Sequence, residues 1–226
     1  MPLLFPAFLV SAALAIASAS GLLAAPWLLW LTKPLTTLLV IAHAAQRGRE
    51  NGRSGQALRR AVLAGLGLSL LGDVALLWPR EGFLPGLVAF LLAHLAYLVA
   101  FTRGGVRFIA HRGPFVVYAV VAGAVLWRLW PGVPGALRAP VIAYVLCLAA
   151  MAAQAAARWL LLSEGSTVQA RLARRAALGG GLFLVSDALL ATNKFAGPVP
   201  LASLWVLASY WAAQWLIASA LPPQRR

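Results

Sequence analysis

Leu84–Thr102, LPGLVAFLLAHLAYLVAFT, contains no Asp, Glu, Lys or Arg. As an α-helix it is roughly 28 Å long at about 1.5 Å per residue, close to the hydrocarbon thickness of a bilayer. Its apolar side chains cover every face, unlike the one-sided stripe of a helix on a soluble domain. The stretch predicts a membrane-spanning helix.

Working outward, similar blocks recur at Leu3–Ser20, Pro26–Ala45, Ala61–Trp78, Phe115–Trp130, Ala139–Trp159, Leu172–Thr192 and Val199–Ala220. Hydrophobic residues make up 62% of the chain and charged residues 11%, with a mean hydropathy of +0.85. A soluble domain carries about 25% charged residues and could not hide so much apolar surface. A β-barrel would need short alternating segments with polar lumen positions, and these blocks are apolar all round. The expected fold is an all-α integral membrane bundle of about eight transmembrane helices. It forms one membrane domain over residues 1–226, because the longest polar stretch, Gln46 to Arg60, is only a loop. The first block ends in Ala17-Ser18-Ala19, as a signal peptide would, but no basic residue precedes its apolar run, so a retained helix is expected. The single cysteine, Cys147, lies within a block and has no intrachain partner for a disulfide.

The formal net charge of +14 would suggest nucleic acid if the basic residues formed one face of a soluble domain. Instead they fall in every second connection. Arg47, Arg49, Arg53, Arg59 and Arg60 follow the second block, and Arg103, Arg107 and Arg112 follow the fourth. Arg158, Arg171, Arg174 and Arg175 flank the sixth-to-seventh loop, and Arg225 and Arg226 end the chain. The opposite connections carry only Arg80, Arg128, Arg138 and Lys194, scattered singly. The positive-inside rule puts both termini and the basic loops in the cytoplasm, with the chain in a plasma membrane, the inner one if bacterial. Anionic lipid headgroups, not nucleic acid, are the expected partners of these arginines.

An internal echo is visible. Arg59-Arg60-Ala61 leads through a Leu/Gly-rich run to Leu70-Leu71-Gly72-Asp73, and Arg174-Arg175-Ala176 leads through a similar run to Leu184-Val185-Ser186-Asp187. A parallel duplication of four helices accounts for this, and so does chance in low-complexity Leu/Ala sequence.

Of the five acidic residues, Glu50, Glu81 and Glu164 fall in loops, leaving Asp73 and Asp187 inside predicted spans. A carboxylate at mid-helix costs about 2.5–3.5 kcal/mol on insertion scales, so each needs a compensating role. A structural helix–helix hydrogen bond or ion pair is one such role, and catalysis is another. Both aspartates lie a turn or two before the exit of their spans, and Lys33 lies at a comparable depth. His94 is a little deeper with Tyr97 at i+3, and Tyr210 and Gln214 sit at i and i+4 on the last span. All could line one polar pocket, with Lys33 and burial pulling carboxyl pKa values in opposite directions. Such opposed environments divide two carboxyls into acid and base, and which is which the residues leave open.

Other features read as structure. His43, His94 and His111 lie at different depths, which argues against a metal site. The nine tryptophans, mostly near span ends, read as an interfacial belt. Gly65, Ser69 and Asp73 recur at four-residue spacing, which keeps the aspartate's helix face small enough for close approach. No nucleophile elbow and no phosphate-cradling glycine loop occurs.

Gly72-Asp73, Phe83, Gly86, Phe90, His94, Tyr97 and Phe101 together resemble the central motif of the lysoplasmalogenase, or YhhN, family. Ser186-Asp187, Asn193-Lys194-Phe195, Pro198-Val199-Pro200, Tyr210 and Ala213-Gln214 resemble its C-terminal signature, and Lys33-Pro34 its short motif in the second span. The resemblance implies an eight-helix membrane hydrolase. It would cleave the vinyl-ether bond of lysoplasmalogens in the bilayer to a fatty aldehyde and a glycerophospho-headgroup (ethanolamine or choline), with no metal or organic cofactor. The family's aspartate pair falls on Asp73 and Asp187. His94, Tyr97, Asn193, Tyr210 and Gln214 would position water or glycerol, Lys33 would tune the acids, and Lys194 would meet the substrate phosphate. Two rival readings remain. A proton-coupled transporter of a small molecule or lipid also carries intramembrane Asp, Lys and His, though no proline breaks the third or seventh span. A noncatalytic lipid-binding or scaffold protein is the other.

Overall fold

The computed structural model describes residues 3–48, 52–78, 80–103, 106–165 and 167–223, so Arg49, Glu50, Arg225 and Arg226 lie outside the described residues. Eight α-helices follow one another: α1 (Leu4–Ala19), α2 (Trp27–Ala45), α3 (Arg53–Ala75), α4 (Phe83–Thr102), α5 (Arg112–Leu129), α6 (Gly135–Leu162), α7 (Thr167–Phe195) and α8 (Ala202–Ser219). Each predicted span falls on one helix. α3 and α7 begin earlier than their apolar runs, at Arg53 and Thr167. Their polar starts extend beyond the apolar blocks and continue the helix hydrogen bonds past them. Among the described residues five helices, α2, α4, α5 with the short turn after it, α6 and α7, are long and apolar enough by themselves to cross a membrane. α1 is apolar but shorter. It rests on α2 and α8, and α3 and α8 pack tightly on α4 and α7.

α2, α3, α4, α6, α7 and α8 form a closed ring, each touching the next, while α5 leans on the outside of α6. Exchanging the first four helices with the last four maps α1–α2, α2–α3 and α3–α4 onto α5–α6, α6–α7 and α7–α8, and α2–α8 onto α6–α4. The echo in the sequence therefore has a counterpart in the neighbour pattern.

The small-residue face of α3 is needed. A Cβ on Gly65 would come within 2.3 Å of the Tyr97 ring, and one on Gly72 within 2.5 Å of Phe90. At the basic end, guanidinium groups occupy the carbonyls at helix C-termini, where the helix dipole is negative. Arg59 donates to the carbonyls of Ala45 and Arg47, Arg47 to Leu221 and Ser219, Arg175 to Ser219, and Arg158 to Arg103. Partial burial, then the nearby Arg175 charge, push the Arg47 guanidinium below its ordinary pKa. These bonds join the ends of α2 and α8 to the starts of α3 and α7, and the end of α6 to the end of α4. The tryptophans divide: Trp27, Trp127 and Trp205 are exposed, as an interfacial belt requires, but Trp211 is buried in the core.

Candidate active site

Asp73 on α3 is 1% exposed and fully partnered. Thr37 of α2 and Tyr210 of α8 each donate a hydroxyl to its Oδ2 at 2.6 Å, and Lys33 Nζ lies 3.7 Å from Oδ1. Lys33 and Thr37 are one helical turn apart, so α2 presents both on the same face. A further layer braces these donors. Trp211 Nε1 donates to Thr37 at 3.3 Å, Gln214 Nε2 donates to the Tyr210 oxygen at 3.2 Å, and Tyr97 donates to Gln214 Oε1 at 2.7 Å.

Asp187 on α7 is different. Its side chain keeps 14% exposure and has two partners, the Tyr144 hydroxyl donating at 2.5 Å and His94 Nε2 at 3.5 Å. His94 Nε2 is also 3.0 Å from the Tyr144 oxygen, and its Nδ1 has no partner among the described residues. An unpaired ring nitrogen is tolerated better as a lone pair than as an N–H, which assigns the proton to Nε2. The chain of bonds then runs His94 to Tyr144 to Asp187, each hydroxyl or N–H donating toward the carboxyl.

The ring exchange relates the two sites. Asp73 is held by α2 and α8, and Asp187 by α6 and α4, their counterparts. The sequence expectation of one shared pocket is therefore corrected: two polar clusters form, with aromatic rings packed between them. Phe183 meets His94 on one side and Tyr210 on the other, at 4.6 and 5.4 Å between centroids, and Phe90 packs against both Phe183 and Tyr210. His94 and Tyr97, adjacent on one helix face in the sequence reading, part company: His94 serves Asp187 and Tyr97 serves the Asp73 network. Lys33 pairs with Asp73 and has no recorded contact with Asp187.

Asp187 opens onto a narrow cleft of about 90 Å³ bounded by α3 to α7. Its lining is apolar, including Leu87, Phe90, Ala122, Leu126, Val145 and Leu148, and its two polar side chains are Asp187 and Tyr144. Phe83 and Phe195 also line it, packed edge to face. The exposed Lys194 holds its ammonium 4.1 Å over the Phe83 ring. Asn193 is exposed as well and accepts from the Val199 amide at 3.0 Å, so it shapes the α7–α8 turn instead of reaching the cleft. Among the described residues no three His, Cys, Asp or Glu side chains come together to hold a metal ion.

The sequence reading missed Tyr144, Thr37 and Trp211. Two signals were available: Thr37 is four residues beyond Lys33, and Tyr144 is one of only four tyrosines, in the middle of an apolar run.

Residues 28–221 match the YhhN family. The chain belongs to that family. It is 36% identical to lysoplasmalogenase TMEM86B of Sus scrofa over 189 residues, covering 82% of this chain and 70% of the pig protein. It is 32% identical to lysoplasmalogenase TMEM86A of Homo sapiens over 167 residues, covering 70% of this chain and 63%, just under two thirds, of the human protein. A 75-residue stretch is 41% identical to the uncharacterized membrane protein YhhN of Escherichia coli O157:H7, a third of each chain. No solved structure matches the chain at a significant level. Membership of this family, together with the apolar helices, makes the chain an integral membrane protein.

Proposed function

We propose that this chain is a lysoplasmalogenase, a single membrane domain that hydrolyses the vinyl-ether bond of a lysoplasmalogen held among its helices. The observation that carries the reading is the cleft. A single-chain lipid needs an apolar slot with few polar groups, and Asp187 with Tyr144 supplies them at one wall. The names of the relatives point the same way.

The two aspartates take different parts, Asp187 in the chemistry and Asp73 in the frame. Protonated Asp187 gives its proton to the β-carbon of the vinyl ether, and the electron pair of the double bond forms the new C–H bond. An oxocarbenium ion results, flanked by the Asp187 carboxylate, which the Tyr144 hydroxyl and His94 hold in place. Water adds to the α-carbon and returns a proton to Asp187. The hemiacetal then collapses to a fatty aldehyde and the glycerophospho-headgroup, ethanolamine or choline. Asp73, paired with Lys33 and bound by two hydroxyls, acts at one remove. It fixes Tyr210, whose ring backs Phe90, a wall of the cleft, with Tyr97 and Gln214 bracing the network. Lys194, above Phe83, is placed to meet the substrate phosphate. Both termini and the basic loops face the cytoplasm, and the membrane is the bacterial inner (plasma) membrane, a reading that the charge alternation supports.

The test is purified protein in liposomes given 1-alkenyl lysophosphatidylethanolamine. Aldehyde and glycerophosphoethanolamine should appear in equal amounts by mass spectrometry. The saturated 1-alkyl analogue, with no double bond to protonate, should compete without being cleaved. Lipid movement across the bilayer with no aldehyde would refute the reading.

A further inference from the structure

α3 and α4 are drawn together where Gly65 meets Tyr97 and Gly72 meets Phe90, and nearer the basic end residues of both helices line a gap. The gap is an open groove of about 580 Å³. Gln56 and Arg60, one turn apart on α3, form one rim. Leu95, Val99 and Arg103, at four-residue spacing on α4, form the other, and Ala57, Ala61 and Ala96 also line it. Its cationic residues sit at the end nearest the loops, and the apolar stripe runs from there toward the middle of α4.

The two guanidinium groups are unspent. Arg47, Arg59, Arg158 and Arg175 bind helix-end carbonyls. The side chains of Arg60 and Arg103 are exposed and make no hydrogen bond or ion pair with the described residues. The ion pairs in the described structure both belong to Asp73 and Asp187, so among the described residues no carboxylate pairs with either arginine of the groove. Arg158, bonded to the Arg103 carbonyl at 2.8 Å, adds a third positive charge beside it.

We infer that this groove binds one anionic glycerophospholipid, its phosphate between Arg60 and Arg103 and an acyl chain along Leu95 and Val99. Charge complementarity selects the lipid class. Two arginines at the membrane surface favour an anionic over a zwitterionic headgroup by roughly 10- to 30-fold, and the apolar stripe selects a lipid over a soluble phosphate. The site lies on the opposite face of α4 from His94 and is independent of the lysoplasmalogenase reading.

Native mass spectrometry of the full chain, titrated with phosphatidylglycerol or phosphatidylethanolamine of matched chains, tests the site. Retention of one phosphatidylglycerol at least tenfold more tightly is expected. The Arg60→Gln/Arg103→Gln double variant should lose that preference, and Arg112→Gln, outside the groove, should keep it. Ala96→Trp, which fills the floor and leaves both charges, should expel the same lipid and serves if the double variant does not fold. Equal affinity for the two lipids would overturn the inference. So would binding unchanged in the double variant and in Ala96→Trp, or displacement of the lipid by inorganic phosphate.

Discussion

Replacing Tyr144 with Phe removes one oxygen from the site and leaves the ring's shape in place. In the native arrangement that oxygen donates to Asp187 at 2.5 Å and accepts from His94 Nε2 at 3.0 Å. Without it, Asp187 keeps only His94, 3.5 Å away, and Nε2 loses its nearer partner. A hydrogen bond to a charged group contributes about 1.5–3 kcal/mol. In the proposed mechanism Asp187 passes through its carboxylate form opposite the oxocarbenium ion, so the bond matters most at the transition state. At about 1.36 kcal/mol per decade the expected loss is roughly 10- to 150-fold in kcat. KM should change little, because the apolar contacts with the chain remain. The assay is aldehyde release from alkenyl lysolipid in liposomes, with a thermal melt in detergent to show that Tyr144→Phe folds. Full turnover by a folded Tyr144→Phe protein would remove the Asp187–Tyr144–His94 chain from the mechanism.

Asp187→Asn leaves no group to donate or receive the proton and should cost about 10²- to 10⁴-fold in kcat while the protein still melts as a folded species; full activity would exclude Asp187 as the acid. Asp73→Asn should instead act on stability. It strands the Lys33 ammonium in a buried site, where breaking a buried pair costs about 3–5 kcal/mol, and Lys33→Met added to it should recover part of the melting temperature. An unaltered melt for Asp73→Asn would contradict that frame role. Ala122→Phe narrows the cleft from the α5 side. If it displaces two to three methylenes of a long alkenyl chain, at about 0.8 kcal/mol each, kcat/KM for that chain falls roughly 15- to 60-fold while a short chain is spared. A uniform loss at all chain lengths would put the chain elsewhere.

Much of the frame was legible in the residues because a bilayer imposes simple local rules. Each apolar block had to be a helix, since no other open segment satisfies its backbone in lipid, and each predicted block is one. The basic end was legible from Arg47, Arg59 and Arg175, and their bonds to helix-end carbonyls give that charge pattern a structural use. The candidate site was legible in its acids and only partly in their company. Lys33, Tyr210 and Gln214 do surround Asp73, and His94 does reach Asp187, but the single pocket expected from equal depth is two. Depth along the membrane normal is readable from counting residues at about 1.5 Å each. Position around the ring is not.

By itself the sequence determined that Asp73 and Asp187 must be compensated, because an unpaired carboxylate in hydrocarbon is too costly to keep. Only the tertiary structure decided how. Asp73 meets its partners across 36 and 137 residues of chain, and Asp187 meets Tyr144 across 43. Which helices stand beside α3 and α7 depends on how all the apolar faces pack together. Phe183 packs against both His94 and Tyr210, one from each network, and Asp73 is sealed with its lysine while Asp187 faces the cleft.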